Sequence, residues 1–353
     1  MDPINLAILG GSFVVILVAA ELFTNGIEWL GRKLHLSEGA VGSVLAATGT
    51  ALPETLIPIV AIGFGGAGLR TDEIGVGAIL GAPFMLSTLA LGVTAVAVLL
   101  RARRRPAGGD QLSLNGRVVG ADLRYFFVAY SIAVASALIP GDLQPMRWLA
   151  SAALVVVYVA YVRSHLGGAP ANMDIELAPL RLGRVDPAGR RYPAGDPRMR
   201  IVAAQVAVAL LGIVGGAVAF VGAVEGLSHD LGVAPAILAL IIAPIATELP
   251  EKFNSIIWIG HRKDTLAIGN ITGAMVFQSC LPVIVAILFA PQSWLLSGAT
   301  LPAFASAGVA FASSALIFWP LWRGGVLTGR RMLLGGGFYL GYLVFIVTQL
   351  GST

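Results

Sequence analysis

Uncharged, apolar runs of 18 or more residues recur from one end of this 353-residue chain to the other. A run of that length forms a helix able to cross the roughly 30 Å hydrocarbon core of a bilayer. In that core each backbone polar group must be satisfied within its own segment, and a helix does so. Only 12% of the residues are charged, about half of what a soluble domain carries. The sequence therefore predicts an all-α integral membrane protein. Ten spans are expected, at 4–30, 39–64, 73–100, 121–139, 146–163, 200–227, 233–259, 265–289, 295–321 and 332–350. The opening MDPIN is acidic and no small-residue cleavage site follows the first run, so no signal peptide is expected. The single cysteine, Cys280, lies inside an apolar run and has no partner for an internal disulfide.

Charge placement orients the spans. The loops after spans one, three, five, seven and nine hold 20 of the 23 Lys and Arg residues, while the opposite side holds only Arg70 and Arg147. Lys252 falls inside a span. By the positive-inside rule the basic loops are cytoplasmic, which puts both termini outside, as expected for a prokaryotic plasma-membrane protein. The formal charge of +4 sits between apolar runs, so nucleic acid is not an expected partner and membrane lipid is. The basic run RARRR at 101–105 reads as an orientation signal, with anionic lipid as a secondary contact. The Pro-, Gly- and Arg-rich stretch 164–199 reads as a cytoplasmic linker between a first half, 1–163, and a second, 200–353.

Within the second span, TGTALPETLIPIVA (48–61) places Pro53 directly before Glu54. The proline removes a backbone donor, and a carboxylate at the bilayer centre costs at least a few kcal/mol. The same pair returns in the seventh span. EWLGRKLHLSEGAVGSVLAATGTALPE (28–54) aligns without gaps to EGLSHDLGVAPAILALIIAPIATELPE (225–251), matching Thr50 to Thr247, Pro53 to Pro250 and Glu54 to Glu251. After a five-residue length difference, DEIGVGAILGA (72–82) aligns to DTLAIGNITGA (264–274). Five spans per half is an odd number, so the halves enter the membrane in opposite directions. Inverted repeats with interrupted helices mark secondary transporters, with the binding site where the repeats meet. Pro53 and Pro250 free the carbonyls of Gly49 and Ala246 from the helical ladder. Beside two carboxylates, those oxygens suit a hard cation such as Ca²⁺.

At these residues the sequence resembles the cation/Ca²⁺ exchanger superfamily, which includes the sodium/calcium exchangers. Its repeats carry a G-T-S-L-P-E core and a later G-N-x-x-G-S-N segment; here the cores are GTALPE and ATELPE, and the later segments GAILGAP (77–83) and GNITGAM (269–275). The resemblance implies ten helices in two inverted repeats. It implies Glu54 and Glu251 as central cation ligands, joined by backbone oxygen from Thr50 and Thr247 and by Asn270. It also implies no catalytic activity, and no cofactor beyond the transported cations. The chain departs from the family at Ala51, Ala78, Ala82, Pro83, Glu248, Ala274 and Met275. Several of these positions help form the family's sodium sites, which tilts the expected exchange of Ca²⁺ toward H⁺ or toward fewer Na⁺ per cycle.

Other polar residues in the spans have weaker readings. Asn254, Ser255 and Gln278 are candidate ligands of the second repeat alone. Glu21 and Asn25, four apart, either line an ion path or bond a neighbouring helix. Lys252 follows Glu248 by four residues, the favourable order for a helical ion pair; competition for Glu251 is the alternative. Glu28 and Glu225, near span ends, read as structural. All four histidines, His35, His165, His229 and His261, fall between the spans, which argues against a histidine proton relay. No G-x-x-x-x-G-K-[ST] loop is present, which argues against a nucleotide-driven pump. A channel or non-exchanging carrier built on the same site is the competing function.

Overall fold

The computed structural model describes residues 3–33, 47–63, 69–104, 109–140, 142–166, 177–185, 196–232, 249–260, 262–297 and 300–350. Helices dominate, and the described residues contain no strand beyond one isolated bridge between Gln111 and Thr328. The first span is α1 (Pro3–Lys33). The second is α2 (Ala47–Thr50) and α3 (Leu52–Gly63), interrupted at Ala51. The third is α4 (Leu69–Met85), a π-helical turn (Leu86–Ala90) and α5 (Leu91–Leu100). Next come α6 (Gly116–Ser136), α7 (Gln144–Leu166) and α8 (Met199–Leu231). The described part of the seventh span is α9 (Leu249–Gly260), and α10 (Asp264–Phe289), α11 (Leu301–Trp322) and α12 (Gly329–Leu350) complete the ten. Eight of the described segments are long and apolar enough to cross a membrane; the interrupted second span and α9 are the two that carry the Pro-Glu motif.

Local chemistry marks several of these elements. Asn115 caps α6, its side chain accepting from the Arg117 amide at 3.1 Å. Gly232, at φ 64°, takes the left-handed conformation that closes α8. In the wide π turn the buried hydroxyls of Ser87 and Thr88 both donate to the Phe84 carbonyl, which accounts for two polar groups inside an apolar span.

Contacts between helix ends follow the predicted alternation. At the basic ends, the Ser113 amide donates to Asp264 at 2.9 Å, the Leu112 amide donates to the Leu327 carbonyl at 2.9 Å, and Lys33 pairs with Asp196. At the other ends, the Leu296 amide donates to the Ala137 carbonyl, and Trp294 Nε1 donates to Ser136. There Arg147, almost fully buried, donates to the carbonyls of Pro291 (2.7 Å) and Ile139 (3.0 Å). Arg147 therefore breaks the charge rule as a staple between two turns.

Helix α10 and the α4–α5 span are the most enclosed, with 78% and 72% of their central windows buried. These two are repeat mates. Helix α10 packs against α2, α3, α4, α6, α7 and α9, so it touches both halves. Helices α1 and α8 pair closely, because Gly216 leaves no room for a Cβ beside Ile16 and Gly212 none beside Ala19. Asn25 bonds α8 through Gln205 Nε2 (3.0 Å), and bonds the linker through the Arg181 amide and the Ala178 carbonyl. Asn25 thus bonds a neighbouring helix, the second of its two expected roles, whereas the exposed Glu21 pairs with Arg181 in 177–185.

The expectation that every histidine lies in a loop is corrected. Helix α7 runs on to Leu166 and carries His165, which is buried, and His229 lies in the last turn of α8. The span estimate stopped short because the last turn of α7 contains Arg163 and Ser164, polar residues that lie outward while His165 turns in. His35 and His261 lie outside the described residues.

Candidate cation site

The two Pro-Glu helices match residue for residue. Helices α3 and α9 are each 12 residues long, begin one residue before the proline and two before the glutamate, and end at a glycine. The side chains of Thr50, Glu54, Glu251 and Asn254, and all of Thr247 and Glu248, lie outside the described residues, as do the side chains of Glu28 and Asp72. Helix α3 packs against α4 and α10, and α9 against α10 and α5. Each Pro-Glu helix therefore touches the later-segment span of both repeats.

The break in the second span falls at Ala51, two residues before Pro53. Its carbonyl accepts from the Thr55 amide (3.2 Å), from Thr55 Oγ1 (2.8 Å) and from Gln278 Nε2 (3.1 Å). Gln278 thus reaches from the second repeat into the GTALPE turn of the first. Its Oε1 is buried and has no hydrogen-bond partner among the described residues. A buried amide oxygen beside the motif is a donor type that suits a hard cation.

Asn270 is completely buried on α10, and its repeat mate Ala78 is buried on α4. Ala82, Ala274 and Met275 are buried as well, and Pro83 sits inside α4. The oxygen-poor positions are therefore interior ones. Ser255 Oγ donates to the Ala267 carbonyl at 3.1 Å, tying α9 to α10, so it serves packing. Lys252 is 95% buried on α9, next in sequence to Glu251; the expected pair with Glu248 lies outside the described residues. Glu225 is exposed, as a structural residue near a span end would be. Sequence reasoning passed over Asp122, a fully buried carboxylate on α6 that contacts His165 of α7 and Thr272 of α10. The signal was an acid just inside an apolar span.

Two halves of five spans, inverted relative to each other, with a Pro-Glu helix at one register in each, define a multi-pass membrane protein of the inverted-repeat kind found among secondary transporters. The family described as sodium/calcium exchanger protein matches residues 4–165 and 201–351, and the chain belongs to that family. A curated relative, the uncharacterized membrane protein MJ0091 of Methanocaldococcus jannaschii, is 19% identical over 261 residues, 74% of each chain. The crystal structure of the H⁺/Ca²⁺ exchanger CAX aligns with a TM-score of 0.73 at 16% identity, covering 97% of this chain and 82% of that one. The sodium–calcium exchanger NCX_Mj aligns with a TM-score of 0.60 at 15% identity, covering 98% and 99%.

Proposed function

We propose that this protein is a secondary active cation antiporter that exchanges Ca²⁺ for H⁺ or Na⁺ where its two repeats meet. The observation that supports the reading is the Pro-Glu pair carried at one register by α3 and α9, one helix in each half. Family membership over both halves supports it. Two carboxylates, backbone oxygen from Thr50 and Thr247, and the amide oxygen of Asn270 form an all-oxygen donor set suited to Ca²⁺. The basic loops face the cytoplasm in this reading, with both termini outside, and 164–199 links the halves 1–163 and 200–353.

The fold is shared with both an H⁺/Ca²⁺ and a sodium–calcium exchanger, so it does not choose the driving ion. The residues favour protons or few Na⁺. Ala78, Ala82, Pro83, Ala274 and Met275 bring no side-chain oxygen, whereas two glutamates can release one divalent cation and each take up a proton. Purified protein in liposomes, loaded with radioactive Ca²⁺ under an imposed pH gradient in Na⁺-free buffer and then under a Na⁺ gradient at matched pH, tests the reading. Uptake driven by the pH gradient is expected. Uptake that needs no counter-gradient indicates a channel or carrier. Uptake only under a Na⁺ gradient, with steep multi-ion dependence, refutes the proton assignment.

A further inference from the structure

Behind the GNITGAM segment of the second repeat, α6, α7 and α10 meet at an ionic cluster. Asp122, fully buried, lies two turns into α6. Its Oδ1 is 3.0 Å from His165 Nε2, its Oδ2 accepts from Thr272 Oγ1 at 2.6 Å, and the Tyr161 side chain bonds the same carboxylate. The other ring nitrogen of His165, Nδ1, lies 3.1 Å from the Tyr161 carbonyl and 3.0 Å from Ser164 Oγ. That hydroxyl itself donates to the Tyr161 carbonyl at 2.7 Å. A carbonyl can only accept, and so can an ionised carboxylate. Nε2 of His165 thus lies beside the carboxylate and Nδ1 beside a carbonyl oxygen, and a ring with a proton on each nitrogen is the form complementary to both.

In that form the cluster is net neutral. Without the extra proton the ring keeps one N–H, on Nε2 toward Oδ1; the Nδ1 lone pair then faces the Tyr161 carbonyl, and a net negative charge remains in a buried place, which is costly. The other titratable groups around the pair are Tyr158 and Tyr161 of α7, Tyr125 of α6 and Cys280 of α10. Helix α11, which also packs on α6, has none. Arg124 and Arg163 nearby in sequence are exposed. No second cation substitutes for the proton among these residues.

The cluster touches the transport machinery from behind. Thr272 lies two residues from Asn270 on α10, so the two side chains leave the helix about 200° apart. Helices α6 and α7 hold the back of the helix whose other side carries a candidate ligand. We propose that the Asp122–His165 pair is a proton-binding site, separate from the glutamates, whose proton clamps α10 to α6 and α7 and so sets the transport rate. The link to rate rests on the antiporter reading; the proton site itself does not.

The test compares the full-length wild type with His165→Gln, whose amide can donate to Asp122 without titrating, and with Thr272→Val, which keeps the pair but cuts its tie to α10. Thermal midpoints in detergent and Ca²⁺ uptake in liposomes are measured from about pH 6 to about pH 10. The loaded pair stabilises the fold, so the wild-type midpoint is expected to fall with rising pH relative to His165→Gln. Wild-type uptake is expected to drop several-fold on the alkaline side, while His165→Gln stays flat. Thr272→Val is expected to keep the pH-dependent midpoint and lose the pH-dependent uptake. Equal pH dependence of the midpoint in wild type and His165→Gln overturns the proton site. A midpoint difference with identical uptake profiles overturns the link to transport. A wild type that moves no Ca²⁺ at any pH refutes the antiporter reading and the link to rate, while the midpoints still decide the site.

Discussion

Replacing Gln278 by leucine should make the protein more stable and less active. Gln278 gives one hydrogen bond, from Nε2 to the Ala51 carbonyl at 3.1 Å. Its loss costs about 0.5–1.5 kcal/mol. It does not orphan the acceptor, because Ala51 keeps the Thr55 amide and hydroxyl. The substitution also removes Oε1, buried and without a partner among the described residues, which relieves about 1–3 kcal/mol. Leucine nearly conserves the volume, so packing changes little. The two terms net about −0.5 to about +2.5 kcal/mol, centred on stabilisation of about 1 kcal/mol, read as a higher thermal midpoint in detergent. Initial Ca²⁺ uptake per reconstituted protein should fall, because the open oxygen beside the Pro-Glu turn is gone. A lowered midpoint refutes the reasoning, since it would mean that Oε1 is satisfied in the folded protein. A raised midpoint with unchanged uptake would remove Gln278 from the ion path.

Replacing either Glu54 or Glu251 by alanine should abolish Ca²⁺ uptake while the protein still accumulates in the membrane, since the lost group is a costly charge there; near-normal flux in either variant would overturn the site. Accessibility reporters at both termini should read outside, and one within 186–195 cytoplasmic, with a cytoplasmic C-terminus contradicting the orientation. Arg147→Met should lower the thermal midpoint, because it frees the Pro291 and Ile139 carbonyls, a loss of about 2–4 kcal/mol; an unchanged midpoint would show that the staple is dispensable.

The membrane class, the ten spans and the repeat were legible because they rest on long patterns: apolar runs, the alternation of Lys and Arg, and a rare Pro-Glu pair occurring twice. The helix carrying His165 was underestimated because hydropathy stops at the last apolar residue, whereas a helix continues while its backbone bonds close. The partners of Asn25, and the Pro291 partner of Arg147, lie more than 140 positions away in sequence, and no local pattern encodes them. Asp122 was missed for the same reason. Its meaning comes from His165 and Thr272, 43 and 150 positions along, and alone it looks like a polar residue at the mouth of a span.

The shared Pro-Glu register of α3 and α9 also bears on the energy of a transport cycle. If both halves were identical, exchanging their conformations would turn an inward-open molecule into an outward-open one of equal free energy. Here the repeat register is kept while the side chains differ: Asn270 stands against Ala78, Lys252 against Thr55, Ser255 against Pro58 and Gln278 against Leu86. Most of the polarity has gathered in the second half. Under the antiporter reading, the two end states would therefore differ in free energy, and the empty protein would rest with one mouth open more often than the other, a bias carried by side-chain chemistry laid over a repeated motif.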